Sequence, residues 1–390
     1  MPGGIYCQSR MKIVLEKLVC IERRTYVCVF FETMIIWRRY NMSNDVIQIV
    51  KFSDLNVSNP FFDSLKDAYD GFTAWFEKKS LGEETVYILQ DQEKLLGFLY
   101  LKEEDEEDTT IDPPLHKKRR LKIGTFKIMA HGTVLGERFL GIILKKMIEE
   151  SFEETYVTLF DEQKGLIKLF EKFGFLFWGK KENGELVYNK ILKEQNDIFK
   201  DFPRITTHDT SKYLLSILPE YHTKLFPYSK LNTEKEHKIE DLSFTNTVQK
   251  VYLTKMSGTG NLKPKDNIVI YRMKDVGKKA EYSSVATSIC TVVETRRIES
   301  FRTLQDFLDY CGKGVVFSDK ELRSFWATKR YPIIIKMLYN FSLNKRIIRQ
   351  RLIEEVGLER NAYAGFMQLT DSQFNKIMEL GETDESFIID

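Results

Sequence analysis

A glycine-bearing turn is the part of the sequence with the clearest capacity for chemistry. Residues 131–136 read HGTVLG and lie between an apolar run at 121–130, which predicts a strand, and a periodic apolar run at 137–150, which predicts a helix. A strand that leads through such a turn into a helix brings orphan backbone N–H groups to the positive end of the helix dipole. We therefore expect the turn to bind a phosphate group, and hence a phosphorylated cofactor.

Side chains near this turn could move a proton in a reaction at the bound cofactor. Glu103 and Glu104 follow a predicted hairpin strand at 95–101, Tyr156 lies on a predicted strand at 155–160, and Asp161 follows that strand. A base placed in this way could accept a proton from a reacting group. Their spacing singles out none of them, and the alternative role of each is an ordinary surface or rim residue.

The spacing of the cysteines and histidines and the length of the apolar runs argue against a metal site and a membrane span. The five cysteines have no C-x-x-C spacing and the histidines have no metal-ligand spacing, so we expect free thiols, a cytoplasmic location and no metal. The apolar run at 26–37 is interrupted by Glu32 and is short for a bilayer span, so no membrane partner is expected. Residues 1–41 are expected to be an extension outside the fold; an added strand or a membrane-surface element is the alternative.

The elements around the turn predict one mixed sheet with a βαβ unit at its centre. The sequence predicts strands at 45–50, 85–89, 95–101, 121–130 and 155–160, helices at 60–79 and 137–150, a later helix that ends at 173–175, and a last hairpin from 175–178 and 186–192. An acidic and then basic segment at 103–120 interrupts this order. We expect it to be a solvated loop, with a substrate-facing rim as the alternative.

This order and two motifs resemble a GNAT-type N-acetyltransferase over about residues 45–193. In that family the pyrophosphate of acetyl-CoA lies on a turn written R/Q-x-x-G-x-G/A, which is similar to residues 131–136, and a later aromatic-E-K-x-G-F signature is similar to FEKFGF at 170–175. The resemblance implies acetyl-CoA as cofactor and diverging strands at 125–130 and 155–160. The residues it implies for cofactor binding are Lys127, Ile128, Met129, Ala130, His131, Gly132, Thr133, Val134, Leu135, Gly136, Glu137, Arg138 and Phe170.

Three positions depart from the family pattern. Val134 stands where the first motif glycine is expected, His131 stands where Arg or Gln is usual, and Phe170 stands where many relatives carry a proton-donating tyrosine. A phenyl ring cannot donate a proton. The expected function is transfer of acetyl to an amine by direct attack in a ternary complex. The alternative is a catalytically weak acetyl-CoA-binding fold that serves an RNA-binding or regulatory module.

The second half of the chain predicts a different fold. Residues 194–245 predict a helical connector with a helix at 212–218, and residues 246–390 resemble a PUA-like β-barrel domain, of the superfamily that includes ASCH and EVE modules. The barrel strands are expected at 248–254, 267–273 and 284–295. Helices near 303–311, 319–326 and 344–356 and strands at 333–339 and 363–369 would decorate it. The fold class is therefore α/β (α+β), a GNAT fold at 42–193 followed by a PUA-like barrel.

The resemblance to PUA-like domains implies RNA, or a protein associated with RNA, as a partner besides acetyl-CoA. The formal net charge is only +2, so such binding needs a local basic patch. Cations interleave with rings in this half, a combination that suits stacking and phosphate contacts on unpaired nucleotides. The candidate nucleic-acid-binding residues are Tyr271, Arg272, Arg296, Arg297, Trp326, Lys329 and Arg330. The alternative for Trp326 is a place in the core, and the oligomeric state is left open.

Overall fold

The computed structural model of the chain describes residues 47–91, 94–129, 133–229 and 243–389. These residues belong to one compact unit, 45–390. The predicted extension at 1–41, and Ala130, His131 and Gly132 of the predicted turn, lie outside the described residues.

The strands are β1 (Gln48–Lys51), β2 (Thr85–Asp91), β3 (Lys94–Glu104), β4 (Ile111–Asp112), β5 (Arg120–Ile128), β6 (Glu154–Leu159), β7 (Leu176–Lys181), β8 (Leu186–Ile191), β9 (Ile205–Thr206), β10 (Lys212–Ile217), β11 (Gln249–Thr254), β12 (Asn267–Arg272), β13 (Val285–Arg297), β14 (Ile333–Ile348), β15 (Phe366–Leu369) and β16 (Ile388–Ile389). The α-helices are α1 (Asp63–Ala68), α2 (Phe72–Ser80), α3 (Leu135–Glu149), α4 (Lys164–Lys172), α5 (Pro219–Leu225), α6 (Ser243–Asn246), α7 (Ala280–Ser283), α8 (Leu304–Cys311), α9 (Asp319–Thr328), α10 (Arg349–Glu354) and α11 (Asp371–Leu380). Short 3-10 helices cover Phe52–Asp54, Pro60–Phe62, Pro227–Ser229, Thr259–Asn261, Ile298–Ser300, Gly312–Gly314 and Glu385–Phe387.

The first sheet has eight strands in the order β1-β2-β3-β5-β6-β8-β7-β4. Its neighbours are antiparallel except β5 and β6, which run parallel and are joined through α3. The predicted order of strands and helices is confirmed, with two differences. The segment at 103–120, expected to be a solvated loop, contributes the edge strand β4, and the first helix is divided. Gly71 adopts φ 83°, a left-handed conformation open to glycine, and separates α1 from α2 within the predicted helix at 60–79.

Helix α3 packs on this sheet through an apolar stripe. Phe139, Leu140, Ile143, Leu144 and Met147 recur at helical spacing and are buried in the same core as strand residues of β3, β5 and β6. Burying a side chain of this size contributes about 1.5–3 kcal/mol. The stripe therefore fixes α3, and with it the turn at its start, against the centre of the sheet.

The backbone at position 174, in the motif at the end of α4, requires a glycine. Its φ is 83°, and a Cβ there would lie 2.8 Å from the carbonyl oxygen of Lys200 and 2.9 Å from Lys190 Nζ. Both the left-handed backbone and the close approach exclude a side chain. The chain can therefore reverse between Phe173 and Phe175, both fully buried, and begin β7.

The second sheet has six strands in the order β11-β14-β13-β12-β10-β15. Among the described residues its end strands, β11 and β15, do not pair with each other, so the predicted closed barrel is wrong: the sheet is open. Neighbouring strands are antiparallel except β10 and β12, which are parallel. The coarser statement, a mixed α/β protein with mixed sheets, holds, while the domain boundaries stay a prediction.

Two predicted helices in this half are strands over part or all of their length. Lys212–Ile217, expected to be helical, is β10 and is buried between β12 and β15. When a short strand is buried on both faces, its sequence is apolar throughout and shows no alternation. The hydrophobic pattern then cannot distinguish a strand from a helix, so the helix prediction for this segment is wrong. The helix expected at 344–356 is only Arg349–Glu354, because β14 continues to Ile348.

Candidate functional site

Strands β5 and β6 diverge at the centre of the first sheet. They pair from Arg120↔Glu154 to Ile123↔Val157, and no described residue of β6 pairs with β5 beyond that point. The register of β5 with β3 shifts between Tyr100 and Leu101, which marks a β-bulge at Gly124. A bulge bends a strand and increases its twist. The predicted divergence is therefore confirmed, and its cause is the bulge.

A cleft of about 460 Å³ opens where the two strands part. One wall is the junction of α1 and α2, and the other comes from the ends of β3, β5 and β6 and from the turn between β7 and β8. Its aromatic lining residues are Tyr69, Phe72, Trp75, Tyr100 and Phe126, and its charged lining residues are Asp70, Lys79, Lys102, Glu104, Lys122, Lys181 and Glu185. The cleft thus combines apolar walls with a few convergent ionisable groups, which is the usual composition of a small-molecule site.

Glu104 is the candidate base that the structure places in this cleft. Its Oε2 accepts a hydrogen bond of 2.6 Å from Tyr156 Oη, and Lys102 Nζ and Lys122 Nζ lie 2.8 and 3.4 Å from its Oε1. Burial alone would raise the pKa of Glu104, but the hydrogen bonds from Lys102 and Tyr156 and the charge of Lys122 together hold it below its ordinary value. Glu104 is therefore ionised at neutral pH and able to accept a proton.

The other predicted acids lie outside the cleft. Glu103 is exposed and pairs with Arg119 at 3.4 Å, and Asp161 is exposed and pairs with Lys164. Successive residues of a strand point to opposite faces, so Glu103 faces away when Glu104 faces in. Neither residue lines the cleft. The assignment of Glu103 and Asp161 as catalytic candidates is thus corrected in favour of Glu104, with Tyr156 as its hydrogen-bond donor.

The sequence reasoning missed a second carboxylate in the cleft, Glu185. It is buried at 4% exposure, and its Oε1 accepts hydrogen bonds of 3.1 Å from both Tyr69 Oη and Thr158 Oγ1. Burial and the nearby Glu185 charge raise the pKa of Tyr69, so its hydroxyl keeps its proton at neutral pH. The turn at Asn183 and Gly184 was predicted, but no local pattern marks the residue after it as one that faces a cleft.

Within the predicted turn, the described residue directly before α3 has a left-handed backbone. Val134 has φ 58° and ψ 30°, the left-handed region, although a β-branched residue is strained there. The helix begins at Leu135, two residues earlier than predicted, and Leu135 itself is buried. A Cβ on Gly136 would lie 3.0 Å from Leu169 Cδ2 and 3.2 Å from Ile128 Cδ1. Gly136 therefore permits close packing of α3 on its neighbours.

Glu137 and Arg138 have partners from the second half of the chain. Glu137 is buried; its Oε2 accepts from Val248 N at 2.9 Å and from Thr247 Oγ1. Arg138 is 3% exposed; its Nε donates to Tyr228 Oη at 3.0 Å and its Nη1 to Asn246 Oδ1 at 3.3 Å. The assignment of both side chains to the cofactor is corrected: they join α3 to the segments that lead into the second sheet.

The remaining predicted cofactor residues divide between the surface and the core. Lys127 lies over the ring of Phe61, 5.0 Å from its centroid, and donates to Ser64, while Met129 is exposed. Thr133 and Ile128 are partly buried. Phe170 is fully buried, with its ring centroid 5.6 Å from that of Phe126 and 4.8 Å from that of Phe175. Phe170 does not line the cleft, so its expected contact with the cofactor is corrected to a core role.

The predicted nucleic-acid-binding residues do not form one surface. Tyr271 and Arg272 are buried on β12, and Arg272 pairs with Asp275 at 2.7 Å, so neither side chain lies on an open surface. Arg297 is exposed and pairs with Glu299 at 3.3 Å. The others belong to a row of aromatic rings and cations, which we call the aromatic-cation ladder. In this ladder Arg296 lies over the rings of Phe301 and Tyr310, and Lys336 also lies over Tyr310. Lys329 lies over Trp326, which stacks on Phe307, and Arg330 lies over Tyr331.

Two features are absent from the described part of the chain. No helix there is both long and apolar enough to cross a bilayer. No group of three or more His, Cys, Asp and Glu side chains there is arranged to hold a metal ion. His222 is buried, with its Nε2 2.8 Å from Thr287 Oγ1, and burial lowers its pKa to about 3.

Known proteins resemble parts of this chain only distantly. No family model matches the sequence, and no curated protein sequence matches it. An ASCH protein from Zymomonas mobilis is 10% identical over 43% of this chain and 94% of its own, with a TM-score of 0.28. A GNAT family acetyltransferase from Elizabethkingia anophelis with acetyl-CoA bound is 14% identical over 37% of this chain and 98% of its own, with a TM-score of 0.27.

A ribosomal-protein-alanine N-acetyltransferase from Brucella melitensis is 14% identical over 38% of this chain and 99% of its own, with a TM-score of 0.29. The solved structures similar to this chain thus include both ASCH and GNAT proteins. At these TM-scores the likenesses assign neither a family nor an activity to the chain.

Proposed function

We propose that this protein is an acetyl-CoA-dependent N-acetyltransferase in which Glu104 deprotonates the acceptor amine. The observation that carries the proposal is the cleft at the divergence of β5 and β6, which holds a carboxylate whose pKa lies below its ordinary value. Proximity and a positioned base can supply much of the acceleration of an amine attack on a thioester.

The two strand edges support acetyl-CoA as the cofactor. Residues 124–128 of β5 have no described partner on β6, so their backbone groups on the side away from β3 face the opening. An extended arm that carries amides can hydrogen-bond to such an edge as an added strand does. The start of α3 follows directly after Val134, and its first N–H groups and dipole suit a diphosphate at the end of that arm.

In the proposed reaction the amine nitrogen attacks the thioester carbonyl carbon, and the C–S bond then breaks. The amine proton passes to Glu104, and the sulfur leaves as the CoA thiolate. A thiol has a pKa of about 8.5, so the thiolate is a stable leaving group and needs no strong acid. The lack of a hydroxyl on Phe170 therefore does not prevent turnover, and the protonated hydroxyl of Tyr69 in the cleft supplies an alternative donor.

The test combines calorimetric titration of acetyl-CoA with transfer of a labelled acetyl group to a pool of amines, peptides and RNA-associated proteins. Thr125→Trp fills the cleft at the divergence, while Thr125→Ser is its matched control because it keeps the hydroxyl and removes only a methyl group. We expect Thr125→Trp to lose acetyl-CoA binding and Thr125→Ser to keep it. Equal affinities of the two variants, or no binding by the wild type, would refute the proposal.

The aromatic-cation ladder favours a second candidate function, binding of single-stranded RNA. The ring of Trp326 stacks on Phe307 with centroids 5.6 Å apart, and Lys329 Nζ lies 3.4 Å from the Trp326 centroid. Rings beside cations suit base stacking with phosphate contacts. In this second candidate function, the first sheet belongs to a catalytically weak cofactor-binding fold, and RNA binding by the second half of the chain is the main activity.

Fluorescence anisotropy of a labelled oligoribonucleotide, with and without acetyl-CoA, separates the two candidates. Arg296→Ala together with Lys329→Ala should abolish RNA binding, whereas Lys376→Ala, on the surface of α11, is the control. RNA binding that needs the ladder, in a protein that binds acetyl-CoA without transferring acetyl, favours the second candidate. The predicted domain boundaries and cytoplasmic location remain part of this proposal.

A further inference from the structure

A second cleft, of about 330 Å³, lies between α3 and the second sheet. Its walls include Ile142 from α3, Phe202 and Val248 from connecting segments, and Phe341 from β14. It is separate from the cleft at β5 and β6, with which it shares no lining residue. The proposed acetyl transfer therefore leaves this cleft unexplained.

The inner part of this second cleft holds two buried basic side chains. Arg138 and Lys250 both line it and are 3% and 1% exposed, and Arg138 Nη2 has no hydrogen-bond partner within the described structure. A buried donor without an acceptor is costly, and in a native protein it calls for an explanation. The carboxylate that lies nearest in sequence, Glu137, is already engaged by Val248 and Thr247.

The carboxylates that line the cleft do not neutralise Arg138. Glu149 and Glu150 lie near the end of α3, and each pairs with a lysine of its own helix, Lys145 at 3.4 Å and Lys146 at 2.5 Å. The lysines and the acids of the α3 end thus cancel one another. The guanidinium of Arg138 remains as the charge that an occupant of the cleft would meet.

Gly141 keeps the cleft open from the helix side. It lies in the middle of α3 and lines the cleft, and a Cβ there would meet only Val248 Cγ1, at an ordinary 3.9 Å. Packing therefore does not require glycine, although glycine destabilises a helix interior relative to alanine. The absent side chain leaves room beside Arg138, one helical turn away.

We propose that this cleft binds a small organic anion, a carboxylate or phosphate monoester on an apolar body. The anionic group would give Arg138 Nη2 its missing acceptor. The apolar body would lie against Ile142 and Phe341 in the space that Gly141 leaves. Because α3 also begins at the turn before Leu135, such a ligand would hold the helix that the proposed cofactor site uses.

Calorimetric titration of the full chain with phenylacetate, phenyl phosphate and the neutral analogue phenylacetamide tests this proposal. We expect at least one of the two anions to bind, and to bind more than about tenfold tighter than phenylacetamide, since a charged hydrogen bond is lost with the neutral group. The stronger of the two anions identifies carboxylate or phosphate as the preferred group. No measurable binding of either anion, or equal binding of phenylacetamide, would overturn the proposal.

Two variants at one position keep the test independent of folding. Gly141→Leu places a side chain in the cleft and should abolish binding of the anion, while Gly141→Ala should leave it measurable and raise the melting temperature. Arg138→Gln should weaken binding of the anion by about tenfold or more, and Lys168→Gln, at an exposed position of α4 away from this cleft, should not. Binding that survives Gly141→Leu in a folded protein places the anion elsewhere and overturns the proposal. Acetyl-CoA titrated into the same variants reports separately on the first cleft.

Discussion

Tyr156 donates a hydrogen bond of 2.6 Å to Glu104 across the strand that lies between them. Tyr156 is on β6, Glu104 ends β3, and β5 separates the two strands. The Tyr156 side chain passes beside Lys122 of β5, whose Nζ lies 5.3 Å from the ring centroid. Burial, followed by the hydrogen bond and charge of Glu104, raises the pKa of Tyr156, so at neutral pH the tyrosine hydroxyl donates the hydrogen bond and the carboxylate accepts it. This pair fixes the orientation of the proposed base.

Glu104→Gln should therefore greatly reduce acetyl transfer but leave the binding of acetyl-CoA unchanged. Gln has nearly the same shape but cannot take the proton of the amine, and a positioned base contributes about 10²–10⁴-fold to such a reaction. We expect kcat/KM to fall by about that range, measured by release of the CoA thiol, while the calorimetric affinity for acetyl-CoA is unchanged. Glu103→Gln, one residue away and solvent-facing, is the control; a similar loss in Glu103→Gln would reject Glu104 as the base.

Tyr156→Phe should shift the pH dependence of the reaction. The hydrogen bond from Tyr156 is one of the interactions that lower the pKa of Glu104, so its loss raises that pKa. A base works only when it is deprotonated, so the acidic limb of the kcat/KM profile should move to higher pH. The measurement is the full pH–rate profile of both proteins. A profile of unchanged shape with a uniformly lower rate would indicate a structural role only.

The parts of the fold that could be predicted from sequence are those with a local physical cause. Helix α3 has a continuous apolar stripe, and the glycine in the 173–175 motif must adopt a positive φ, so both are visible in the sequence. The divergence of β5 and β6 was expected only from the family resemblance. Its physical cause, a bulge at Gly124, depends on pairing with β3, which no local pattern specifies.

The errors concern residues whose partners are distant in sequence. Arg138 was placed at the cofactor because it follows the turn, yet it bonds to Tyr228 and Asn246, about a hundred residues later. Glu185 enters the site only because the β7–β8 turn folds toward Tyr69. Strand β10 resembled an amphipathic helix because it is buried on both sides. In each case a tertiary contact, absent from the local pattern, decides the role.

Val134→Gly should stabilise the protein. Val134 is held at φ 58°, where a β-branched residue carries strain of about 1–3 kcal/mol, and glycine adopts this conformation freely. Glycine also makes the unfolded chain more flexible, which lowers the free energy of unfolding by about 0.5–1 kcal/mol. The expected net gain in the free energy of unfolding is about 1 kcal/mol, measured by urea denaturation. Val157→Gly, at a strand position, is the control and should destabilise; a loss in both variants would contradict the strained turn.

Lys250→Met should stabilise the protein and flatten its dependence on pH. Burial lowers the pKa of Lys250 from 10.5 to about 7, with a further lowering by Arg138 against the opposing charges of Cys290 and Glu137; the Tyr339 ring lies 6.0 Å away. Between pH 7 and 10.5 the unfolded lysine therefore binds a proton that the native lysine does not, so the stability of the wild type rises with pH there.

Methionine carries no proton, so the variant should lose that slope, and its advantage should be greatest near pH 7 and smallest near pH 10.5. Replacing a buried charge by an apolar side chain of similar volume gains about 1–4 kcal/mol in comparable cases. The measurement is urea denaturation of both proteins at several pH values. Lys212→Met is the matched control, because Lys212 is also buried but pairs with Asp371 at 2.7 Å, so its loss should destabilise. A Lys250→Met variant that is less stable than the wild type at pH 7 would mean that the hydrogen bond from Lys250 Nζ to the Thr245 carbonyl oxygen, at 3.2 Å, outweighs the cost of burying the ammonium.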